Sequence, residues 1–128
     1  MLLNVQTAPG EFLDRLTILE IKSERIADPA KLANVRRELD LMRATWDASP
    51  LAARGIPAAV ADLRRVNEAL WDVEDRLRAL EAERRFDAEF VELARSVYRT
   101  NDRRAAIKRE LNVALGSELI EEKSYPEY

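Results

Sequence analysis

The sequence predicts an all-α fold, an antiparallel four-helix bundle with a long helical hairpin formed by helices 3 and 4 and a short C-terminal tail. Apolar residues recur at three- and four-residue steps in four segments, as they do on the buried face of a helix. Only three of the 128 residues are glycine, whereas 35% are charged, which favours long solvated helices over a turn-rich β fold. The length suits one core, so residues 1–128 are predicted to form a single helical domain.

Helix 1 is predicted to begin near Pro9 and to end at about Ile26. Proline is favoured in the first helical turn, and Glu11 complements the positive end of the helix dipole. Apolar residues lie on two faces, which places this helix centrally or in a dimer interface. The main face carries Phe12, Leu16, Leu19 and Ile26, and the far face carries Ile18 and Ile21. Residues 1–6 are predicted to form a short arm or strand that packs its Leu and Val side chains on the bundle.

Helix 2 is predicted to start at Pro29, with Asp28 as its N-cap. Its apolar positions follow a heptad-like pattern, which is typical of a coiled-coil seam. These positions are Leu32, Val35, Leu39, Met42 and Trp46. The segment Ser49–Pro57, with two prolines and one glycine, then breaks the pattern and is predicted to be the longest loop.

Helices 3 and 4 are predicted to span about Pro57–Glu83 and Asp87–Leu115. The short connection makes them an antiparallel hairpin of about 40 Å at 1.5 Å per residue. Asp87 is predicted to cap helix 4 and Gly116 to end it. The seam of helix 3 contains Leu63, Val66, Leu70, Val73, Leu77 and Leu80. Because such seams also pair between chains, a homodimer is expected, and the aperiodic tail after Gly116 is expected to lack regular structure.

Composition excludes several classes of function. The absence of cysteine removes disulfides and thiolate chemistry, and the absence of histidine removes the commonest general base and metal ligand. No metal site and no cofactor are predicted. A net charge of -3 gives no general attraction to nucleic acid or anionic membrane, and no apolar run approaches membrane-spanning length. We therefore expect a cytoplasmic protein that binds neither nucleic acid nor membrane.

The inner face of helix 4 changes from apolar to polar halfway along and marks the candidate site. Asn101, Arg104, Lys108 and Asn112 share the arc that Phe90, Leu93 and Val97 begin. Burying such groups costs several kcal/mol unless each is paired, so they imply an internal polar network or a ligand.

A second polar stripe, on helix 3, is predicted to face the polar half of helix 4. Glu74 is expected to pair with Arg104 or Lys108, while Asn67 and Asn101 supply amide hydrogen bonds. Helix 1 is expected to add Glu20 and Ser23. The candidate ligand-binding residues are Asn67, Trp71, Glu74, Arg78, Tyr98, Asn101, Arg104 and Lys108.

Three interpretations of these residues remain open. They form a structural network that fixes helix register, a cleft in which Arg104 and Lys108 hold an anion beside Trp71, or a surface for a protein partner. The leading prediction is a non-catalytic binding or scaffold protein. The alternative is a small ligand-binding domain or enzyme acting on a phosphorylated or carboxylated small molecule between helices 3 and 4. A scaffold satisfies the network internally, whereas an active site leaves both cations facing an open cavity.

Several strings of the sequence resemble a bacterial family of about 130-residue helical proteins classed only as a domain of unknown function. The most specific strings are NEALWDVEDRLR and FVELARSVYRTNDRRAAIKRELN, the latter followed by GSELIEEKSY. The resemblance implies a helical fold with no established activity. Because the tail belongs to it, the resemblance also implies that residues 121–125 are ordered.

Two helical enzyme classes share partial features with the chain. All-α nucleotide pyrophosphohydrolases hold magnesium with E-x-x-E and E-x-x-D motifs, to which residues 89–92 and 72–75 are incomplete matches. Helical chorismate mutases surround a dicarboxylate with Arg and Lys, and the set Arg78, Arg104 and Lys108 is compatible with that chemistry. The long first helix that those mutases require is absent from this sequence.

Overall fold

A computed structural model describes residues 1–55 and 57–128, and these residues contain four α-helices and no β-strand. The predicted all-α class is therefore confirmed. The predicted loop after helix 2 contains a short 3₁₀ helix, Pro50–Arg54, and Ile56 within that loop lies outside the described residues. The four helices are α1 (Pro9–Arg25), α2 (Pro29–Ala48), α3 (Pro57–Ala82) and α4 (Ala88–Ala114).

The helix ends form where local chemistry predicts them. The Asp28 carboxylate accepts the Lys31 N–H at 2.9 Å and caps α2, and Asp87 accepts the Phe90 N–H at 3.3 Å and caps α4. Gly116, with φ +66°, follows α4, and the next N–H, from Ser117, donates to the Asn112 carbonyl at 2.9 Å. These local contacts fix the boundaries without help from tertiary packing.

Helix α1 is the central helix of the bundle, because it contacts α2, α3 and α4. It runs antiparallel to α2, as the stacking of Phe12 on Trp46 at 6.1 Å and the pairing of Arg15 with Glu38 show. It is also antiparallel to α4, because Gly10 meets Asn112 and Asp14 meets Arg104. Of the two positions predicted for helix 1, central or in a dimer interface, the structure shows the central one.

The core lies along α1 and contains residues from all four helices. Full burial of each large aliphatic side chain stabilises the fold by about 1.5 to 3 kcal/mol, so this cluster carries most of the packing energy. Leu13 is 2% exposed although it was absent from the predicted main face of helix 1. The buried cluster consists of Leu13, Leu16, Leu19, Leu39, Met42, Leu63, Val66, Ile107, Leu111 and Leu115.

The predicted hairpin of α3 and α4 is present, and the two helices pack closely along their length. Helix α1 ends at Arg25, which reaches Asp72 of α3, so the far half of the hairpin extends beyond α1. In that half Leu80 is fully buried, whereas Val73, Leu77, Phe90, Leu93 and Val97 are only half-buried. The expected homodimer stays a prediction.

The two chain ends differ from each other. The prediction that residues 1–6 pack on the bundle is wrong, because Leu2, Leu3 and Val5 are all exposed. Residues 117–128 form no regular secondary structure, as predicted, but their side chains contact α4. None of the helices in the described ranges has the length and apolarity needed to cross a membrane.

Candidate functional site

A buried polar group, which we call the Asp14 cluster, joins α1, α3 and α4 and consists of Asp14, Thr17, Asn67 and Arg104. The carboxylate of Asp14, 1% exposed, accepts two hydrogen bonds from the Arg104 guanidinium, one of them from Nε at 2.9 Å. Asn67 Nδ2 donates to Asp14 Oδ1 and to Thr17 Oγ1, both at 2.9 Å. The hydrogen bond to Asp14 raises the pKa of Arg104, which therefore stays charged. The Asp14 cluster is satisfied internally.

A second group, the Lys108 cluster, joins α1, α4 and the tail through Glu11, Lys108, Glu121 and Lys123. The Lys108 side chain is 9% exposed, and its Nζ lies 2.6 Å from Glu11 Oε2 and 2.9 Å from Glu121 Oε2. Burial by itself lowers the pKa of Lys108, but the hydrogen bonds to Glu11 and Glu121 outweigh burial and raise it. Glu121 also lies 2.7 Å from Lys123 Nζ, and these two ammonium groups lower its pKa to about 2.

Both clusters depend on a close approach of α1 to α4 at Gly10. The Gly10 N–H donates to the Asn112 side-chain oxygen at 2.7 Å, and both residues are buried. A Cβ at position 10 would lie 2.8 Å from that oxygen and still closer to the Lys108 carbonyl oxygen. Glycine at this position thus lets α1 bring Glu11 and Asp14 to the cations of α4.

A cavity of about 830 Å³ lies between α4, the first turn of α1 and the tail, and we call it the tail cavity. The cavity has an apolar wall on α4, an aromatic wall on the tail and a charged end. The α4 wall contains Ala94, Val97 and Ala105, and the tail wall contains Tyr125, Pro126 and Tyr128. The charged end contains Glu11, Arg104, Lys108 and Glu121. The Tyr128 hydroxyl donates to Asp102 at 2.6 Å, and its ring packs edge to face on Tyr98 at 5.0 Å. The tail therefore closes one side of the cavity.

The structure brings together half of the candidate residues predicted from sequence. Tyr98, Asn101, Arg104 and Lys108 all line the tail cavity. Asn67 lies behind Arg104 in the Asp14 cluster, where it supports the network and does not line the cavity.

The other three candidates lie elsewhere on α3. Trp71 packs under the Arg25 guanidinium, which is 5.8 Å from the ring centre. Glu74 pairs with Arg78 at 3.6 Å, and the Arg78 side chain is 80% exposed. The predicted ion pair between Glu74 and Arg104 or Lys108 is therefore wrong. The reason is that α1 packs against both helices at this level and supplies the carboxylates itself.

The expected contribution of Glu20 and Ser23 to this network is also wrong. Glu20 accepts a hydrogen bond from Arg64 at 2.9 Å, and Ser23 donates to the Glu20 backbone carbonyl at 2.6 Å. Arg64 also pairs with Glu24 and Glu68, and these carboxylates raise its pKa. These contacts join α3 to α1, and none of the residues involved lines the tail cavity.

The acidic members of both clusters, Glu11, Asp14 and Glu121, were not among the predicted site residues. The sequence does carry a sign of Asp14, because Gly10, Asp14, Thr17 and Ile21 recur at four-, three- and four-residue steps and all are buried. A stripe of small and polar residues at helical spacing can be buried when each polar group has a hydrogen-bond partner. The apolar pattern of helix 1 does not include this stripe.

The contact between Glu121 and its two lysines is expected to resist acid. Because the pKa of Glu121 falls from its ordinary value of 4.5 to about 2, its stabilisation is complete above pH 4.5 and is lost as pH falls toward 2. The tail should thus stay attached at pH 4 and detach near pH 2. Amide NMR signals of residues 121–128, followed from neutral to acid pH with helix signals as the internal control, measure this. Detachment between pH 5 and 4 would contradict the expectation.

The fold and its two clusters define a small all-α bundle in which the tail closes a cavity against α4. The chain belongs to DUF6165, described as a family of unknown function, whose model matches residues 3–127. The resemblance to an uncharacterised helical family is thus confirmed, and the match includes the tail. Comparisons with curated proteins and with solved structures found no match.

Proposed function

We propose that the protein is a non-catalytic binding protein that holds a small organic ligand in the tail cavity. The observation that carries this proposal is the cavity itself. Its volume of about 830 Å³ lies within the range of roughly 300 to 1,000 Å³ typical of small-molecule sites. Its Ala94, Val97 and tyrosine surfaces suit an apolar or aromatic body, and its charged end would orient a polar group.

The protonation chemistry of the cavity supports binding rather than proton transfer. General acid-base catalysis at neutral pH needs a group whose pKa lies near 7. The pKa of Glu121 is about 2, and hydrogen bonds to carboxylates raise the pKa of Lys123 and of Tyr128 above their ordinary values. The pKa values of Arg104 and Lys108 are raised as well. These shifts move the pKa of each of these groups further from 7.

The pairing of Arg104 weighs against the alternative of an enzyme acting on an anion between helices 3 and 4. An anion between these helices would need Arg104 to be free of other partners. Arg104 lines the tail cavity, yet it is held by Asp14. We therefore propose a structural role for Arg104 and a ligand position between α4 and the tail.

Filling the cavity is expected to abolish ligand binding. The test measures thermal unfolding with succinate, 4-hydroxyphenylacetate, inorganic phosphate and uridine monophosphate as probes. A ligand at about ten times its Kd adds about 1.4 kcal/mol to the free energy of unfolding, or about 5 °C in Tm for a chain of this size. Ala105→Trp places an indole in the cavity and should remove that shift.

Ala69→Trp is the matched control, because Ala69 is an exposed alanine within α3. It should keep the full shift in Tm. An equal shift in both variants would place the ligand outside the tail cavity. If none of the four probes stabilises the wild-type protein, the result counts against a small-molecule site and favours the scaffold role.

A further inference from the structure

Two carboxylates of different origin hold the nearly buried ammonium of Lys108. Glu11 belongs to the first turn of α1 and is fixed by the bundle. Glu121 belongs to the tail, which has no regular secondary structure. At the charged end of the tail cavity, Lys108 therefore has one carboxylate partner that is fixed by the bundle and one that belongs to the tail.

The tail is attached mainly through side chains. Among the described residues, positions 118–128 form no backbone-to-backbone hydrogen bond. Their main contacts are those of Glu121 with Lys108, Glu122 with Arg109, and Tyr128 with Asp102. The pair of Glu122 with Arg109 is exposed on both sides and contributes about 0 to 1 kcal/mol. The attachment of the tail therefore depends mainly on Glu121 and Tyr128.

Lys108 sets the condition under which the tail can leave. When the tail around Glu121 withdraws, Lys123 moves with it, and Lys108 keeps only Glu11. A charge with little solvent access is costly unless it is paired. A second anion at the same position restores the contact that Lys108 has lost, whereas a neutral ligand does not.

We propose that the Glu121 carboxylate is an internal competitor for an external organic anion, which replaces it at Lys108. The part of the tail around Glu121 then moves away from Lys108 as the anion enters. The ligand class is a carboxylate or phosphate with an apolar or aromatic body that lies on Ala94 and Val97. This inference rests on the proposed function, since it names the ligand class of the tail cavity.

The test compares Glu121→Ala with Glu122→Ala, which removes the same charge from the neighbouring residue. Glu122 pairs with Arg109, whose side chain is 52% exposed, and does not line the tail cavity. Succinate and inorganic phosphate are titrated separately into each protein at constant ionic strength, with sodium chloride as the blank, and binding is followed by amide NMR shifts. The probe that binds more tightly distinguishes a carboxylate ligand from a phosphate ligand.

Removing the competitor should lower the Kd for at least one probe about tenfold in Glu121→Ala, whereas Glu122→Ala should match the wild-type protein. The largest shift change on α4 should lie at Lys108. Adding Lys108→Met to Glu121→Ala should abolish the gain. Equal affinity in the two single variants, or a gain that survives Lys108→Met, would overturn the proposal.

Combining this test with the cavity-filling variant separates the two proposals. If Ala105→Trp abolishes binding but Glu121→Ala does not tighten it, the tail cavity binds ligand and the competitor role fails. If Glu121→Ala tightens anion binding but Ala105→Trp leaves it unchanged, the anion occupies only the Lys108 end. The tail cavity is then not the ligand site.

Discussion

Replacing Arg104 with methionine is expected to lower the free energy of unfolding by about 3 to 5 kcal/mol, the usual cost of removing one partner of a buried ion pair. The substitution keeps an unbranched side chain of similar reach but leaves the 1%-exposed Asp14 carboxylate without its cation. Asn67 still donates one hydrogen bond to that carboxylate, yet an amide does not neutralise it. Urea unfolding at neutral pH measures the loss.

Asn101→Leu serves as the control on the same helix. Asn101 is exposed and lines the tail cavity, so its replacement should change stability by no more than about 0.5 kcal/mol. If Arg104 served a ligand, Arg104→Met would instead be the milder of the two changes. Similar losses in the two variants would contradict the structural role of Arg104.

A double variant tests whether the cost of Arg104→Met comes from the unpaired carboxylate. Asp14→Leu combined with Arg104→Met removes both charges and should lose less stability than the sum of the two single changes. Strict additivity would show that the two side chains do not interact in solution.

Gly10→Ala is expected to lower the free energy of unfolding by about 3 kcal/mol, at the upper end of overpacking effects. The added methyl group would collide with the backbone of α4 at Lys108, which cannot move as a flexible side chain could. Moving α1 outward would also lengthen the Gly10 to Asn112 hydrogen bond, now 2.7 Å. Thermal unfolding and urea titration both report the loss.

Ala30→Gly is the matched control for that substitution. Ala30 follows Pro29 at the start of α2 just as Gly10 follows Pro9 at the start of α1, but it is exposed. Helix propensity favours Ala over Gly by about 1 kcal/mol, so the control should lose at most that amount. If Gly10→Ala stabilises the protein, propensity dominates and the close approach is absent in solution.

The helices were predictable because their signals are local. Asp28, Asp87 and Gly116 each act on residues within a few positions, so caps and ends can be inferred without knowing the tertiary structure. The central place of α1 was predictable for a related reason, since apolar residues on two faces require neighbours on both.

The partners within the candidate site were not predictable in the same way. A helical pattern places Arg104 on an inward face but does not say which helix faces it. Glu74 on α3 and Asp14 on α1 were both chemically suitable partners for Arg104. Asp14 is the actual partner because α1 packs against α4. The tail contacts were harder still, because Glu121 and Tyr128 lie in a segment without periodicity and act through side chains.

The central position of α1 also determines when the fold can be completed. Gly10 and Asp14 find their partners 102 and 90 residues later in the chain, on the last helix. Closing loops of that length costs about 4 kcal/mol in chain entropy before any contact repays it, whereas the α3 and α4 hairpin forms from neighbouring segments. During synthesis, Asp14 stays solvated and lacks its Arg104 partner until α4 has emerged. The buried ion pair can therefore form only after the last helix of the bundle has been made.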